Sequence, residues 1–473
     1  MAHDPAPTQA GSSDRRHAIV VGAGLGGSLM ACFLARAGWR VTVLERRSDP
    51  RQAGFIGGRS INLALSTRGI DALRRVDLAD AVLAEGIPMR GRMMHSTAGQ
   101  LKFQPYSTNP DDAIYSVSRS NLNLTLLHAA ASHDHVSLLF DRPCTQVDLD
   151  APAITVTHAT TGETEVLTAD LIIGADGAFS AVRAQMQRTD RFNYSQTYLE
   201  HGYKELTIPP AGEIPGCDEN RFDGFALDPH ALHIWPRGGS MMIALPNRDR
   251  SFTCTLFWPF EHDDSAQPSF ERVRTADDVR DCFERWYPDA APLISALTEE
   301  YLNNPTGSLV TVRCNPWQIG GRVVLLGDAA HAVVPFYGQG MNAAFEDCAA
   351  LDACLKEFPD TLERAVATYA ERREPQGHAI ADLALHNFIV MRDRTASRAF
   401  LWRKRIEGWL HRCFPRWWVP LYNLVTFSQV PYAEAQRRGR RQDRWFEAAM
   451  VAGGAVLLLC ILILVRWLIV SNR

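Results

Sequence analysis

A glycine-rich turn near the start of the chain has the spacing of a dinucleotide-binding turn. Gly22, Gly24 and Gly27 form the pattern GxGxxG, and Glu45 ends the apolar run that follows the next helical stretch. The first glycine permits a tight turn, the second lets a pyrophosphate approach the backbone, and the third lets a helix pack closely on its strand. Glu45 would accept the ribose hydroxyls, and its charge disfavours a 2′-phosphate, so the site favours FAD or NAD over NADP. A glycine-rich turn in an unrelated α/β protein is the alternative interpretation.

The residues around this turn predict the strand, helix and strand that must position it. Residues 18–21 are a short apolar run typical of a buried parallel strand, and residues 28–38 carry apolar side chains at helical spacing. Residues 41–44 return as a second strand that ends on Glu45. Together they form a βαβ unit, which directs the amino terminus of the helix at the phosphates of a bound dinucleotide.

Two further turns come directly after buried apolar runs in later parts of the chain. Asp176 and Gly177 form the first of these turns, and Gly327 and Asp328 form the second. A glycine-rich loop at 335–342 then opens a helix, whose first amides and positive dipole end would face whatever lies before them. The α/β pattern therefore resumes after a long middle segment.

The middle segment has a different pattern. Residues 194–311 carry several strands with few helices, which is typical of a separate antiparallel sheet. The sequence therefore predicts an α/β fold with a doubly wound parallel sheet for the dinucleotide, an inserted antiparallel-sheet substrate domain, C-terminal helices and a C-terminal transmembrane helix. The predicted boundaries are 1–16 for a disordered lead-in, 17–85, 112–190 and 312–375 for the dinucleotide-binding domain, 86–111 and 191–311 for the substrate domain, 376–445 for a C-terminal helical region that completes the substrate site, and 446–473 for a transmembrane tail.

The composition is that of a globular chain large enough for two or more domains. Its 473 residues are 46% hydrophobic and carry a formal net charge of −4, so no long-range field that attracts nucleic acid is expected. The 10 cysteines are scattered without a CxxC pair. This pattern suits reduced thiols in a body that faces the cytoplasm, rather than a disulfide framework or a metal site.

The end of the chain is far more apolar than the rest. Residues 450–470 are almost wholly apolar, and a helix of this length can cross a bilayer. Arg466 lies near the far end, where its side chain can reach the head groups, and the arginine-rich stretch 437–444 would stay on the cytoplasmic side. We therefore expect a lipid bilayer as partner and a membrane-anchored protein, with a buried C-terminal helix as the alternative. Residues 402–418, rich in Trp and Arg, fit either a membrane surface or a solvated helical cap.

In their order and spacing the three turns resemble those of the FAD-dependent single-component aromatic hydroxylases. The resemblance implies bound FAD, with NADPH as a transient co-substrate that needs no second dinucleotide domain. It implies that Asp328 binds the ribityl chain and that the Asp176 turn serves both flavin and pyridine nucleotide. Met341 and Asn342 would meet the edge of the isoalloxazine ring. The other residues implied near FAD are Gly22, Gly24, Gly26, Gly27, Leu44, Glu45, Arg46, Arg47, Ala64, Arg119 and Cys144.

Longer motifs narrow the resemblance to the kynurenine-hydroxylating branch of that family. Among the stretches that carry it are 58–66 (GRSINLALS), 116–123 (SVSRSNLN) and 335–347 (PFYGQGMNAAFED). This resemblance implies that the amino-acid carboxylate of L-kynurenine binds Arg92 and Tyr106. Asn387 and Tyr422 would complete the polar end of the site. An arginine suits a carboxylate because its guanidinium can bind both oxygens in a fork.

The implied reaction is hydroxylation of L-kynurenine to 3-hydroxykynurenine, in which NADPH reduces FAD and O2 then forms a flavin C4a-hydroperoxide. The flavin carries the chemistry, so no protein side chain is expected to act as a catalytic group. His331 is accordingly better explained as a structural residue behind the flavin than as an acid or base. Two alternatives stay open: a flavin hydroxylase of another aromatic acid, and a flavin-free lipid-escort protein on the same fold.

Overall fold

The computed structural model describes residues 15–53, 62–264, 267–391, 398–414 and 417–471, without the side chains of 53, 398–401, 404 and 453–471. The predicted lead-in at 1–16 therefore lies almost wholly outside the described residues. The first part of the motif at 58–66 lies outside them as well.

The chain alternates strands and helices at both ends of a strand-rich middle. The strands are β1 (His17–Val21), β2 (Arg40–Leu44), β3 (Asn62–Leu65), β4 (Ile87–Met89), β5 (Gly91–His95), β6 (Leu101–Pro105), β7 (Ile114–Ser118), β8 (Val136–Leu139), β9 (Cys144–Asp148), β10 (Ala153–Thr157), β11 (Thr164–Thr168), β12 (Leu171–Gly174), β13 (Asn193–Ile208), β14 (Ala231–Pro236), β15 (Met241–Pro246), β16 (Phe252–Pro259), β17 (Gly307–Asn315), β18 (Gln318–Ile319) and β19 (Val323–Leu325). The α-helices are α1 (Leu25–Arg36), α2 (Pro50–Ala53), α3 (Thr67–Arg74), α4 (Ala79–Glu85), α5 (Arg119–Ala131), α6 (Ala181–Met186), α7 (Ala276–Trp286), α8 (Leu297–Asn303), α9 (Asp328–His331), α10 (Gly340–Glu357), α11 (Leu362–Ile389), α12 (Arg398–Cys413), α13 (Leu421–Thr426) and α14 (Tyr432–Ser471).

The glycine turns are carried by a six-stranded sheet with the order β18-β19-β12-β1-β2-β8. Its neighbours pair in parallel, except for the edge pair of β18 and β19. The strands share one apolar core with helices α1, α5 and α10. Burial between helices explains why these strands are continuous apolar runs rather than alternating ones. The predicted βαβ unit is confirmed as β1, α1 and β2.

The parallel pairing brings the carboxyl ends of four strands to one edge of this sheet. Val21 pairs with both Leu44 and Gly174, and Gly174 pairs in turn with Leu325. The turns that follow these strands therefore emerge side by side. This edge, at the point where the strand order reverses, is where doubly wound sheets bind ligands.

A second, seven-stranded sheet has the order β17-β13-β16-β15-β14-β5-β6. Most of its pairs are antiparallel, as predicted, but β5 runs parallel to β14. The inserted sheet is therefore mixed rather than purely antiparallel. β5 and β6 belong to the excursion at 86–111, so no tight hairpin joins β5 to β14 and fixes their relative direction.

Two buried polar side chains of the first part of the chain hold the second sheet in place. Asn62 Nδ2 and Ser116 Oγ both donate to the carbonyl of Pro246, at 2.9 and 2.8 Å. Pro246 is the last residue of β15, and Asn62 and Ser116 lie on the paired strands β3 and β7. The orientation of the second sheet over the first is therefore fixed by directional bonds as well as by apolar packing.

The chain ends in the helices α11 to α14. Within the described residues, no helix is both long enough and apolar enough to cross a membrane. The predicted spanning segment at 450–470 falls almost entirely on residues whose side chains lie outside the described part. The transmembrane helix therefore stays a prediction from the sequence.

Candidate active site

The first glycine turn has the geometry that its spacing predicted. Gly22 has a φ of +102°, and a Cβ on Gly27 would lie only 1.9 Å from the carbonyl oxygen of Gly22. By contrast, a Cβ on Gly24 would meet nothing within 4 Å. Gly27 is thus required for the close approach of helix and strand, while Gly24 faces open space at the end of β1, where a phosphate can approach the backbone.

The residues that follow β2 lie beside this turn. The Glu45 carboxylate accepts hydrogen bonds from the backbone N–H groups of Ala23 and Arg47, both at 3.0 Å. Leu44 is buried and its carbonyl accepts a bond of 2.7 Å from the Gly22 N–H. Glu45 is therefore fixed against the glycine turn. Among the other predicted residues, Gly26 packs against Leu326 and α10, whereas Arg46 and Arg47 are exposed.

Asp176 presents an unsatisfied oxygen at the same edge. Its Oδ2 accepts from the N–H groups of Ala181 and Val182 at 2.7 and 3.2 Å, but Oδ1 is buried and has no partner among the described residues. Burial raises the pKa of this carboxyl. Cys144 lies close by, and burial together with the charge of Asp176 raises the pKa of its thiol to about 12. A buried acceptor without a donor is costly unless a ligand supplies one.

Asp328 follows β19 and begins α9 at this edge. Its side chain is exposed, yet surrounding protein is dense enough for burial to raise its pKa, against the opposing charges of His331 and Arg119. Arg119, at the start of α5, therefore lies within electrostatic reach of Asp328. The structure thus brings together two residues that are far apart in sequence and that the sequence assigned to the cofactor.

A buried ion cluster supports the Asp328 turn from behind. Asp347 contacts His331 Nε2 at 2.5 Å and accepts from Arg373 Nε at 2.7 Å and from the Gly327 N–H at 3.1 Å. Burial acts to raise the pKa of Asp347, but the charges of His331 and Arg373 outweigh it and hold the pKa below its usual range. His331 is buried and stacks on Trp317 at 5.0 Å. These contacts favour the structural interpretation of His331.

Asn342 braces the loop that opens α10. Its Nδ2 donates to the carbonyls of Ala64 and Gly338 at 2.9 and 2.8 Å, and its Oδ1 accepts from the Ser66 N–H at 2.9 Å. These bonds occupy the side chain, which is fully buried. What Met341 and Asn342 can offer a ligand is therefore their backbone N–H groups in the first turn of α10, which have no partner within the helix.

Arg92 and Tyr106 meet because of a hairpin, and a C-terminal helix brings Tyr422 to them. β5 and β6 pair so that Gly91 lies opposite Pro105, which places Arg92 and Tyr106 next to each other. The guanidinium of Arg92 lies 4.6 Å from the Tyr422 ring and 5.6 Å from the Tyr106 ring, and the two rings stack at 5.1 Å. Three of the four residues predicted to bind the substrate therefore form one cluster.

Tyr337 is a fourth member of this cluster that the sequence reasoning missed. It stacks on Tyr422 at 5.7 Å and belongs to the glycine-rich loop before α10. The sequence offers one sign of this role, which is the presence of an aromatic residue inside the glycine-rich loop at 335–342. Tyr337 joins the polar cluster to the loop that faces the dinucleotide edge.

Asn387 has a different environment from the other three predicted substrate residues. Its Nδ2 donates to the Phe336 carbonyl at 2.6 Å, and no contact with Arg92, Tyr106 or Tyr422 occurs among the described residues. Phe336 is the neighbour of Tyr337 and stacks on Phe388 at 4.1 Å. Asn387 therefore lies next to the cluster through the 336–337 backbone rather than within it.

Among the described residues, the Arg92 guanidinium in this cluster forms no ion pair with a carboxylate. Arg92 Nε and the Tyr106 hydroxyl are buried and have no hydrogen-bond partner in the described part of the chain. Burial acts to lower the pKa of Arg92, but Tyr422 and Tyr106 outweigh burial and the pKa lies above its usual range. Burial raises the pKa of Tyr106 well above its usual value, so its hydroxyl stays a hydrogen-bond donor. The arrangement is built to receive a small anion.

Known proteins resemble this chain in both sequence and fold. A family model described as an FAD binding domain matches residues 15–384. Kynurenine 3-monooxygenase of Salinispora tropica is 46% identical over 431 residues, which cover 91% of this chain and 92% of that protein. The enzyme of the same name from Sus scrofa is 42% identical over 452 residues, 95% of this chain and 92% of that protein. The chain belongs to the kynurenine 3-monooxygenase family.

Family membership establishes the chain as an FAD-binding monooxygenase. Its fold is also similar to that of the solved 2-methyl-3-hydroxypyridine-5-carboxylic acid oxygenase, with a TM-score of 0.64, 21% identity, and coverage of 82% of this chain and 96% of that one. The residues present fit FAD: the open face of Gly24, the unpartnered oxygen of Asp176 and the exposed carboxylate of Asp328 all lie along one edge.

Two glycine variants should separate the two roles of the first turn. In Gly27→Ala the added Cβ meets the Gly22 carbonyl, so the free energy of unfolding without cofactor should fall by about 1–3 kcal/mol. In Gly24→Ala the Cβ enters open space, so apoprotein stability should be unchanged while FAD affinity falls at least about 10-fold. Urea unfolding of the apoprotein and quenching of FAD fluorescence measure the two effects. A Gly24→Ala protein that binds FAD normally would contradict the assignment.

Proposed function

We propose that the chain hydroxylates L-kynurenine to 3-hydroxykynurenine, with bound FAD, NADPH as reductant and O2 as the oxygen source. The observation that carries the proposal is the Arg92 guanidinium, which lies against the rings of Tyr422 and Tyr106 and whose Nε is buried without a hydrogen-bond partner among the described residues. The relatives named above support the same reaction, since they carry the name of this activity.

Arg92 binds the amino-acid carboxylate of the substrate in this proposal. A desolvated guanidinium without a counter-ion is unfavourable, and a carboxylate that enters replaces the lost hydration with two charge-assisted hydrogen bonds. The Tyr106 hydroxyl donates a further bond, which fixes the rotation of the carboxylate. Tyr422 stacks against Tyr106 and covers the guanidinium, so the ion pair forms away from bulk water.

The position of Tyr337 sets the direction in which the rest of the substrate extends. Tyr337 contacts Tyr422 on one side and continues on the other into the loop at the start of α10. A substrate held at Arg92 by its carboxylate therefore points its aromatic ring along this loop, toward the edge where the three turns lie. Asn387 donates a hydrogen bond to the carbonyl of Phe336, the neighbour of Tyr337, and so contributes to the polar end through this backbone.

The protein itself binds, orients and shields the reactants. FAD, when bound, supplies electron transfer from NADPH and the activation of O2. Asp328, the Asp176 turn and the first amides of α10 would hold it, while Glu45 would accept its ribose hydroxyls. An apolar cluster that includes Phe257, Phe336 and Leu383 lies beside the polar cluster and excludes water. Exclusion of water strengthens the ion pair between Arg92 and the substrate carboxylate, and it also prevents side reactions of the bound reactants with water.

A flavin hydroxylase of a different aromatic acid is the second candidate. Arg92 and Tyr106 would bind the carboxylate of any small aromatic acid, so these two residues do not distinguish the substrates. The relatives named above carry the name of kynurenine hydroxylation, which supports the amino-acid substrate over an acid on the ring. The lipid-escort alternative has no support among the named relatives, which are monooxygenases.

We also propose that residues 450–470 anchor the protein to a membrane, with the body facing the cytoplasm. The segment is long and apolar in sequence, and the backbone of α14 continues through it to Ser471. Trp445, Met450 and Val451 are exposed at 65%, 50% and 74%. These exposures argue against the alternative that the helix enters the segment already packed against the body.

Removing the Arg92 charge should abolish recognition of the substrate carboxylate. In wild-type protein, L-kynurenine should bind about 100-fold more tightly than kynuramine, which lacks the carboxylate, because one buried ion pair is lost. In Arg92→Met the two dissociation constants should agree within about 3-fold, since the carboxylate then has no partner. Titration of the flavin absorbance spectrum measures both constants.

Arg90→Met is the matched control, because Arg90 is an exposed arginine two positions earlier. It should keep the full preference for L-kynurenine.

The wild-type protein should also oxidise NADPH faster with L-kynurenine present and release a 3-hydroxylated product. A preference for salicylate or hydroxybenzoate in the same assay would favour the second candidate instead.

Truncation tests the membrane proposal. The full chain in isolated membranes should resist extraction by alkaline carbonate, and a chain that ends at Glu447 should be recovered in the soluble fraction with its FAD. The truncation keeps the first turns of α14, which pack in the body through Tyr432 and Ala435. Complete extraction of the full chain by carbonate would instead support a buried C-terminal helix.

A further inference from the structure

Arg68 is a fully buried arginine that lies outside the sites described so far. It occupies the first turn of α3 and is 1% exposed. Its guanidinium donates to the carbonyls of Val425 at 2.9 Å, Leu424 at 3.3 Å and Val430, and it forms an ion pair of 2.9 Å with Glu346. Most of its donors therefore serve a segment more than 350 residues away in the chain.

Two of the three carbonyls that Arg68 contacts, those of Leu424 and Val425, lie in the last turn of α13, while that of Val430 lies after the helix. The Leu424 carbonyl also accepts a bond of 2.6 Å from Ser428 Oγ. α13 spans six residues, Leu421–Thr426, and the last four carbonyls of any helix lack partners within it. A helix of this length has no stability of its own in water. Arg68 supplies both hydrogen bonds and a positive charge at the carboxyl end, where the helix dipole favours a cation. It therefore acts as a cap delivered from another part of the chain.

A second set of contacts holds Arg68 itself in place. Its guanidinium lies 4.0 Å from the centre of the Tyr432 ring, and the Tyr432 hydroxyl donates to Gln339 at 3.0 Å. Glu346 also forms an ion pair of 2.9 Å with Arg373. The cap on α13 is thus joined to the loop before α10 and to the ion cluster behind the Asp328 turn.

We infer that Arg68 is a positioning residue that fixes Tyr422 in the substrate site by capping α13. Tyr422 is the second residue of this helix, and it stacks on Tyr106 and Tyr337 beside Arg92. Among the described residues, Arg68 makes no hydrogen bond or ring contact with Tyr422, Tyr106 or Tyr337, so its effect on the substrate passes through the placement of α13. The inference rests on the proposed function, because it assigns Tyr422 to the kynurenine site.

Arg68→Lys is the sharpest test, because lysine keeps the charge next to Glu346 but lacks the fork that reaches several carbonyls at once. In the holoenzyme, the dissociation constant of L-kynurenine should rise about 10-fold, while that of FAD should change less than about 2-fold. The fraction of oxidised NADPH that yields hydroxylated product should fall as well, since the ring is held less firmly. The matched control is Arg75→Lys, at the exposed end of the same helix, and it should leave both constants unchanged.

A double-mutant cycle with Tyr422→Ala distinguishes positioning from a general structural role. If Arg68 acts through Tyr422, then Arg68→Lys should weaken L-kynurenine binding by less than about 2-fold when Tyr422 is already removed. Additive effects of the two changes, or an equal loss of FAD affinity in Arg68→Lys, would overturn the inference. Should Arg68→Lys not yield folded protein, the neutral Arg68→Gln, which keeps two donors, carries the same expectations.

The wild-type titration separates this inference from the proposed function. Wild-type holoenzyme that does not bind L-kynurenine would refute the function itself. Wild-type and Arg68→Lys proteins that bind it equally well would refute the role of Arg68 alone.

Discussion

The buried carboxylate of Asp347 is the constraint on which the two halves of the site depend. It is fully buried and satisfied by Arg373, His331 and the Gly327 N–H, and removing Arg373 would take away the guanidinium that pairs with this buried charge. The Gly327 turn carries Asp328, which is proposed to bind the cofactor, directly after it. Through Arg373 and Glu346 the same ion cluster reaches Arg68 and, through it, the helix that carries Tyr422. One charge cluster therefore connects the Asp328 turn to the segment proposed to bind the substrate.

The cluster around Arg92 works by a different principle, because the described residues provide no carboxylate to pair with the Arg92 charge. Arg92 lies against aromatic rings instead of a carboxylate, so the protein gains little from closing the site without a ligand. Desolvation makes the guanidinium a strong partner for an anion and a poor one for a neutral molecule. The free-energy cost of desolvating this charge is offset by the rest of the fold, which holds the hairpin of β5 and β6 against α13.

Local patterns explain which parts of this arrangement were predictable. The spacing of Gly22, Gly24 and Gly27 predicted the tight turn and the close helix because both effects arise within a few residues. The inserted sheet was predicted as purely antiparallel, and the parallel pairing of β5 with β14 was missed because no hairpin connects them. The assignment of Asn342 to the flavin edge stays a prediction, and the structure adds that its side chain is saturated by hydrogen bonds with the Ala64, Gly338 and Ser66 backbone. Such saturation depends on neighbours from distant parts of the chain.

The sequence by itself determined the class of cofactor, since glycine spacing and a strand-end carboxylate act through local backbone geometry. Its longer motifs also pointed to a carboxylate-binding arginine at Arg92. It took the assembled fold to show that Arg92 has no counter-ion among the described residues, that Tyr337 joins its cluster, and that Arg68 caps the helix of Tyr422. These features are contacts between segments separated by hundreds of residues, and burial is a property of the assembled fold. No local spacing rule encodes whether a buried charge will find a partner.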